Sequence, residues 1–288
     1  MLDYHLHLWP HGRPSAVPTL DELASYCDQA AEHGVSEIAL TEHLFRFAQA
    51  DSVLAGFWAD DPSPQLQETM ASYWAEHAHA DLDAYVAAVI DAKAAGLPVV
   101  LGLEVDYYPG RMDKVQRLLE GYPFDVLLGS VHWLGAWGFD DYEHPVVAAE
   151  WGTRAVEQVW DDYTRALVEL ADTGTVDVLA HPDLCKVTGR RPATPDEFYD
   201  RMAEAAARTG MAAEVSSAGW RKPVAEEYPA PPLLARFKAR GVPVTTASDA
   251  HDQSTVAHRS HDLRAVLEAA GYTSLQAYRS RRPREVAL

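Results

Sequence analysis

The chain has 288 residues, 48% of them hydrophobic and 23% charged, enough for one large buried core. Its 43 acidic and 24 basic residues give a net charge of −19, which argues against a nucleic-acid partner, because phosphate backbones are bound by Lys and Arg. No apolar run approaches the roughly 18 residues of a membrane span, no secretory leader precedes the first strand, and two cysteines, Cys27 and Cys185, make no disulfide framework, so the expected setting is the cytoplasm, with no membrane partner.

Met1–Gly12 alternates apolar and polar positions and reads as a strand. His5 and His7 then share one face, as two nitrogens on one metal must, and His11 follows Pro10. Leu20–His33 reads as a helix, with Thr19 as N-cap and Gly34 as stop. Ser36–His43 is a second strand, ending in Glu42 and His43. Residues 44–79 break the rhythm with many aromatic residues, which suggests a lid-like insertion holding a small helix over Gln65–His77; without strand context, His77 and His79 read as surface residues. Asp81–Ala95 is a helix, and the nearly continuous apolar run Leu97–Asp106 is a strand buried on both faces that carries Glu104. A carboxylate there is costly unless a cation meets it.

A short helix over Met112–Leu119 precedes the strand Phe124–His132. A second aromatic insertion, 133–152, contains Trp133, Trp137, Phe139 and Trp151, the last read as plain packing. A long helix over Thr153–Asp172 leads to the strand Thr175–Pro182, which bears His181. Pro195–Arg208 has proline in its first turn, a helix start signal. Met211–Ser217 is the sixth strand, Pro231–Arg240 a helix, and Pro243–His251 the seventh strand, ending in Asp249 and His251. Helices over Leu263–Ala270 and Leu275–Arg281 are expected to close the chain.

Strands alternating with helices point to an α/β fold, a seven-stranded parallel (β/α)7 barrel resembling a TIM barrel, as one domain over 1–288 with aromatic insertions near 44–79 and 133–152. Chemistry in such barrels sits at the carboxyl ends of the strands. Those ends carry His5, His7, His11, His43, Glu104, His132, His181, Asp249 and His251, which include seven of the chain's 13 histidines. Nine nitrogen and oxygen ligands exceed what one tetrahedral ion uses and suit two to three divalent ions, Zn, Mn or Fe, with Glu104 as a bridge.

The motifs Tyr4-His5-Leu6-His7, Pro10-His11-Gly12, Glu42-His43, Gly102 to Tyr107, Ser130-Val131-His132, Ala180-His181-Pro182 and Ser248 to His251 resemble the polymerase-and-histidinol-phosphatase (PHP) superfamily. The stretch Ser217–Pro223 followed by Tyr228-Pro229 is most similar to its monofunctional histidinol-phosphatases. The resemblance implies a distorted barrel with a trinuclear metal centre. It implies His5, His7, Glu104 and Asp249 at one ion; His11, His43 and His251 at a second; and Glu104, His132 and His181 at the third. After the last motif the family often has a glycine-containing turn with an arginine, whereas this chain reads Val256–His261.

The expected activity is metal-assisted hydrolysis of a small phosphate monoester, histidinol phosphate first among them, with Glu104, Asp249 and His251 as catalytic residues. Arg221, Lys222 and Arg259 are the candidate phosphate contacts, with Arg13 and Lys186 behind them. Glu42, Asp106, Asp183 and the aromatics near Trp58 and Trp137 are candidates for binding the substrate's ammonium. The alternatives are another phosphoesterase or nuclease on the same scaffold, which for a nuclease should show a basic stripe, and a non-catalytic metal-binding module.

Overall fold

The structure is a computed structural model that describes residues 1–12, 14 and 16–288. Among these, seven strands run parallel in one sheet: β1 (Leu2–Leu6), β2 (Glu37–Leu40), β3 (Val99–Asp106), β4 (Val126–Ser130), β5 (Val178–Leu179), β6 (Ala212–Ser216) and β7 (Val244–Ala247), neighbours in that order. Helices connect them and cover the outer face of the sheet, while the inner face is enclosed by the other strands, and all eight residues of β3 are buried. The sheet curls until β7 reaches β1. Asp249 N donates to His5 O at 2.8 Å and His7 N to Ala250 O at 2.7 Å. The result is a nearly closed (β/α)7 barrel.

Local chemistry sets the element ends as expected. The helix Leu20–Glu32 starts at a capping box in which Thr19 and Glu22 satisfy each other's backbone N–H groups. Gly129 sits where the helix Val156–Asp172 and Val176 press on β4. A Cβ there would lie 2.9 Å from Leu170 Cδ2 and 2.5 Å from Val176 Cγ2.

Two expectations change, at His77 and at the C-terminus. The 44–79 insertion folds into the helices Ala48–Leu54 and Pro64–His77, the second where a small helix is expected, with Leu54, Leu66, Met70 and Trp74 buried. His77 is buried with them, because its ring stacks on Tyr73 at 3.9 Å and both nitrogens have backbone partners; His79 is exposed as expected. The 133–152 segment makes a two-residue ribbon, Trp133–Leu134 against Trp137–Gly138, and the helix Pro145–Thr153, with Trp151 in the core.

The last departure is the C-terminus. In place of a helix over Leu275–Arg281 there is an antiparallel hairpin, β8 (Ser274–Arg279) and β9 (Arg282–Ala287). Ser280 and Arg281 form its two-residue turn with φ of 51° and 60°, which matches the twist of paired strands. The hairpin is tied to the barrel: Tyr278 N donates to Tyr4 Oη, Ser280 N to Asp125 Oδ1, and Arg281 pairs with Asp177. Among the described residues no helix is long and apolar enough to cross a membrane.

Asp3 is the stitch at the barrel seam. It is buried and accepts from Ser248 N (2.7 Å), Ser248 Oγ (2.6 Å) and Ala257 N (2.8 Å), so it joins β1 to the turn that carries Asp249 and His251. Asp3→Ala would leave those buried donors without an acceptor. The expected cost is about 2–4 kcal/mol, read as a lower urea midpoint with an unchanged m-value; a midpoint equal to the parent's would show that the seam does not depend on Asp3.

Candidate metal centre

Each barrel strand delivers a polar side chain at its carboxyl end. From β1 come His5 and His7, from the turn after β2 Glu42 and His43, and from β3 Glu104 and Asp106. His132 follows β4, His181 follows β5, Glu214 lies on β6, and Asp249 and His251 follow β7. The Glu104 carboxylate, fully buried, is the meeting point. His43 Nδ1 lies 2.7 Å from it, His181 Nε2 3.0 Å, His5 Nε2 3.2 Å, His132 Nε2 3.5 Å and His7 Nε2 3.6 Å.

The electrostatics follow from that crowding. Burial alone would raise the Glu104 carboxyl, but attraction to His5, His43 and His132 outweighs it and holds the group well below the usual carboxylate range. Asp249 is held down in the same way by His5, His7 and His251 against its burial. His5, desolvated but faced by Glu104, Glu214 and Asp249, keeps its proton to well above the normal range, and His132 is pushed up to about 10 by Asp106 and Glu104 against its burial. His43 and His251 go the other way, because burial and the neighbouring His7 disfavour a further positive charge.

The donor set fits divalent metal. Buried atoms at the rim lack any hydrogen-bond partner: His7 Nδ1, both nitrogens of His43, Glu104 Oε2, His181 Nδ1 and His251 Nε2. His43 Nδ1 and Glu104 Oε2 are 2.7 Å apart yet make no hydrogen bond. Such orphans are expensive without a cation. Donor atoms converge within 4.8 Å in four groups: His5, His7 and Asp249; His5, Glu104 and His181; His7, His43 and His251; and His43, Asp106 and His132.

These groups match the sequence expectation in membership more than in partition. Eight of the nine expected ligands meet in them. His11 does not. It is exposed, lines the adjoining cavity and stacks its ring on His251 at 4.2 Å.

Three carboxylates stand behind the histidines. Glu214 Oε2 lies 2.8 Å from His5 Nδ1, and its other oxygen accepts from His181 N; Asp106 Oδ1 lies 2.7 Å from His132 Nδ1; and Glu42 accepts from Leu8 N and Trp9 N, 3.6 Å from His7 Nδ1. Carboxylates behind imidazoles fix ring orientation and raise ligand basicity. Glu214 is the residue the sequence reading missed. Its signal was there, because Ala213-Glu214-Val215 repeats the pattern of Leu103-Glu104-Val105, a carboxylate inside a buried strand.

A cavity of about 820 Å³ opens beside His11, His43 and His132, walled by Phe45, Tyr73, Trp133 and Tyr142. Acidic residues, Glu68, Glu76, Asp140, Asp141 and Glu143, line it together with Lys222. Burial raises the Asp140 carboxyl although His132 and Lys222 pull it down.

The other expected substrate contacts are engaged elsewhere. Arg221 Nη2 donates to Ser248 O and Asp249 O, which braces the metal-ligand turn. Arg259 is exposed, lies 4.0 Å over Trp220 and pairs with Asp262; its own backbone is left-handed, with φ of 54°. Lys186 is buried against Asp183 and Glu226. Arg13 lies outside the described residues. Asp183, Asp106 and Glu42 are occupied within the protein and do not reach the cavity; Trp58 packs on Trp74, and Trp137 lies in the core.

Substitutions at two positions test this layout. Glu104→Gln removes the charge that faces five imidazoles, and is expected to lower metal content by about one equivalent and turnover at least ~100-fold; parental metal content and activity would make Glu104 a structural ion-pair partner. Glu214→Gln, which removes the negative charge behind His5 Nδ1 but keeps an acceptor oxygen, is expected to weaken metal affinity about 10-fold, and Glu214→Ala, which removes the acceptor as well, up to about 100-fold, with the fold intact. A competition titration against a chelator measures it, and an unchanged affinity would contradict the role.

Residues 4–218 match the family profile of the PHP domain. A curated relative from Deinococcus radiodurans, named "Probable histidinol-phosphatase", is 33% identical over 285 residues, covering 98% of this chain and 99% of the relative. The crystal structure of histidinol phosphate phosphatase from Lactococcus lactis subsp. lactis, complexed with zinc, L-histidinol and phosphate, has TM-score 0.69 at 19% identity over 98% of both chains. A structure from Listeria monocytogenes has TM-score 0.71 at 19% identity over 91% of this chain and 99% of that one. The solved structures share the fold, while the profile and the full-length relative carry the kinship: the chain belongs to the PHP superfamily, within its histidinol-phosphatase group.

Proposed function

We propose that the protein is a metal-dependent phosphomonoesterase that hydrolyses L-histidinol phosphate to L-histidinol and phosphate, a cytoplasmic step of histidine biosynthesis, with two to three divalent ions at the rim. The observation that carries this reading is the buried Glu104 carboxylate within 3.6 Å of five imidazoles, beside a cavity large enough for a small phosphate ester. His5, His7, His43, Glu104, His132, His181, Asp249 and His251 would hold the ions, with His11 completing the set from the cavity side. Bound divalent ions supply an activated water and neutralise charge on the phosphoryl oxygens.

The chain's own residues do the rest. Lys222, on the cavity wall, offers its ammonium to the phosphate. Tyr73, Trp133 and Tyr142 offer ring faces, and Asp140, Asp141 and Glu143 offer carboxylates, to a ligand that carries an ammonium and an imidazole. That acidic, aromatic wall suits a small cationic alcohol. It repels a polyanion, and with the net charge of −19 it works against a nuclease.

With metal-reconstituted protein, kcat/KM for histidinol phosphate is expected to exceed that for an aryl phosphate by at least ~10²-fold, about 3 kcal/mol of differential transition-state binding. Oligonucleotides are expected to remain intact. Equal turnover of the aryl phosphate, or preference for a nucleotide, would overturn the substrate assignment and leave metal-dependent phosphoester hydrolysis standing.

A further inference from the structure

His77 has no place in the mechanism above, yet it is buried and fully used. Its Nε2 accepts from Gly12 N at 2.8 Å, and its Nδ1 donates to Tyr73 O at 2.7 Å. The two bonds specify one neutral tautomer, with the proton on Nδ1 and the lone pair toward Gly12. The ring is sandwiched in place by Tyr73, whose centroid is 3.9 Å away, and by the edge of Phe45.

Gly12 follows His11. Its φ is +103°, a conformation that favours glycine; a Cβ would make only an ordinary contact, 3.5 Å from Glu76 Oε1, so it is the backbone angle that calls for glycine here. The rest of this turn is also held from outside. The buried Arg46 donates to the carbonyls of Trp9, Pro10 and Gly12, and Glu42 accepts from Leu8 N and Trp9 N. Arg46 and Glu42 follow β2, so they fix the turn to the barrel. Of the bonds described for the turn, the one from Gly12 N is the bond that ties it to the helix lining the cavity. His11 itself meets the cluster through its ring, stacked on His251.

We propose that His77 is a positioning residue for His11: by holding Gly12 N it fixes the turn that presents the His11 imidazole beside His43 and His251, and so joins the wall of the substrate cavity to the metal cluster. The proposal rests on the reading of His11 as a ligand. His77 holds no metal and touches no reacting atom. Its effect is on how well one ion is held and, through it, on kcat, with KM largely untouched.

The test uses the full-length chain in four forms: parent, His77→Phe, His77→Gln and His11→Ala. Phe keeps the ring and its stack on Tyr73 but has no acceptor, whereas the Gln amide oxygen can take the bond from Gly12 N. Each protein is loaded with Mn(II), and bound metal is counted during chelator competition. His77→Phe is expected to hold its most weakly bound ion at least ~10-fold less tightly, to lose kcat in step and to keep its KM, while His77→Gln recovers most of both. If His11→Ala loses an ion and His77→Phe does not, the proposal fails and the ligand reading of His11 stands. If His11→Ala keeps every ion at parental affinity, that reading fails and takes the proposal with it. Should His77→Phe not fold, Gly12→Ala distorts the same turn and is expected to lose the same ion; parental metal affinity in Gly12→Ala would then overturn the proposal.

Discussion

A carboxylate with no exposure to water, flanked along its strand by Leu103 and Val105, sets the terms for this protein. Glu104 is tolerable there because imidazoles from β1, β2, β4 and β5 surround it. Removing either side leaves the other buried and uncompensated. The histidines are in turn oriented from behind by Glu214 and Asp106, with Glu42 close to His7. Buried polar networks of this kind are costly when half satisfied. The orphaned atoms of His43, Glu104 and His251 are the ones a divalent ion at the rim would satisfy.

The barrel exists, in this view, to bring those strand ends within a few ångströms. The seam between β1 and β7 is thin, a few backbone bonds reinforced by Asp3. The same seam places His5 and His7 against Asp249 and His251, so closure of the fold and assembly of the cluster are one event. At the opposite end the C-terminal hairpin ties Tyr4, Asp125 and Asp177 together beneath the strands.

Much of this was legible because it is periodic. Alternation over Leu2–Leu6 and the apolar run before Glu104 placed strands, and strand ends placed ligands. What failed to show was long-range. Leu275–Arg281 has a helix-like composition, but the turn at Ser280-Arg281 and the burial of Leu275 and Ala277 against the barrel make it a strand. His77 looked like a surface histidine because its partner Gly12 N, 65 residues away, is set by packing; the Tyr73 ring, four residues earlier on the same helix, was the one contact that spacing could have shown. Arg259 and Asp183 carried the right charge for substrate, but nothing in the sequence showed that Asp262 and Lys186 would claim them. Strand ends fix where the rim histidines sit, whereas charged side chains on loops can turn either way, which is why the candidate ligands could be brought to one rim from the sequence and the cavity wall could not.

The central claim is that metal ions bind around Glu104. Anomalous diffraction at the zinc edge, from crystals grown with zinc, locates them directly. The account predicts more than one strong peak among the side chains of His5, His7, His43, Glu104, His132, His181, Asp249 and His251, with Glu104 oxygens about 2.0–2.2 Å from two of the ions. Peaks confined to the outer surface, or a Glu104 with no ion in contact, would contradict it.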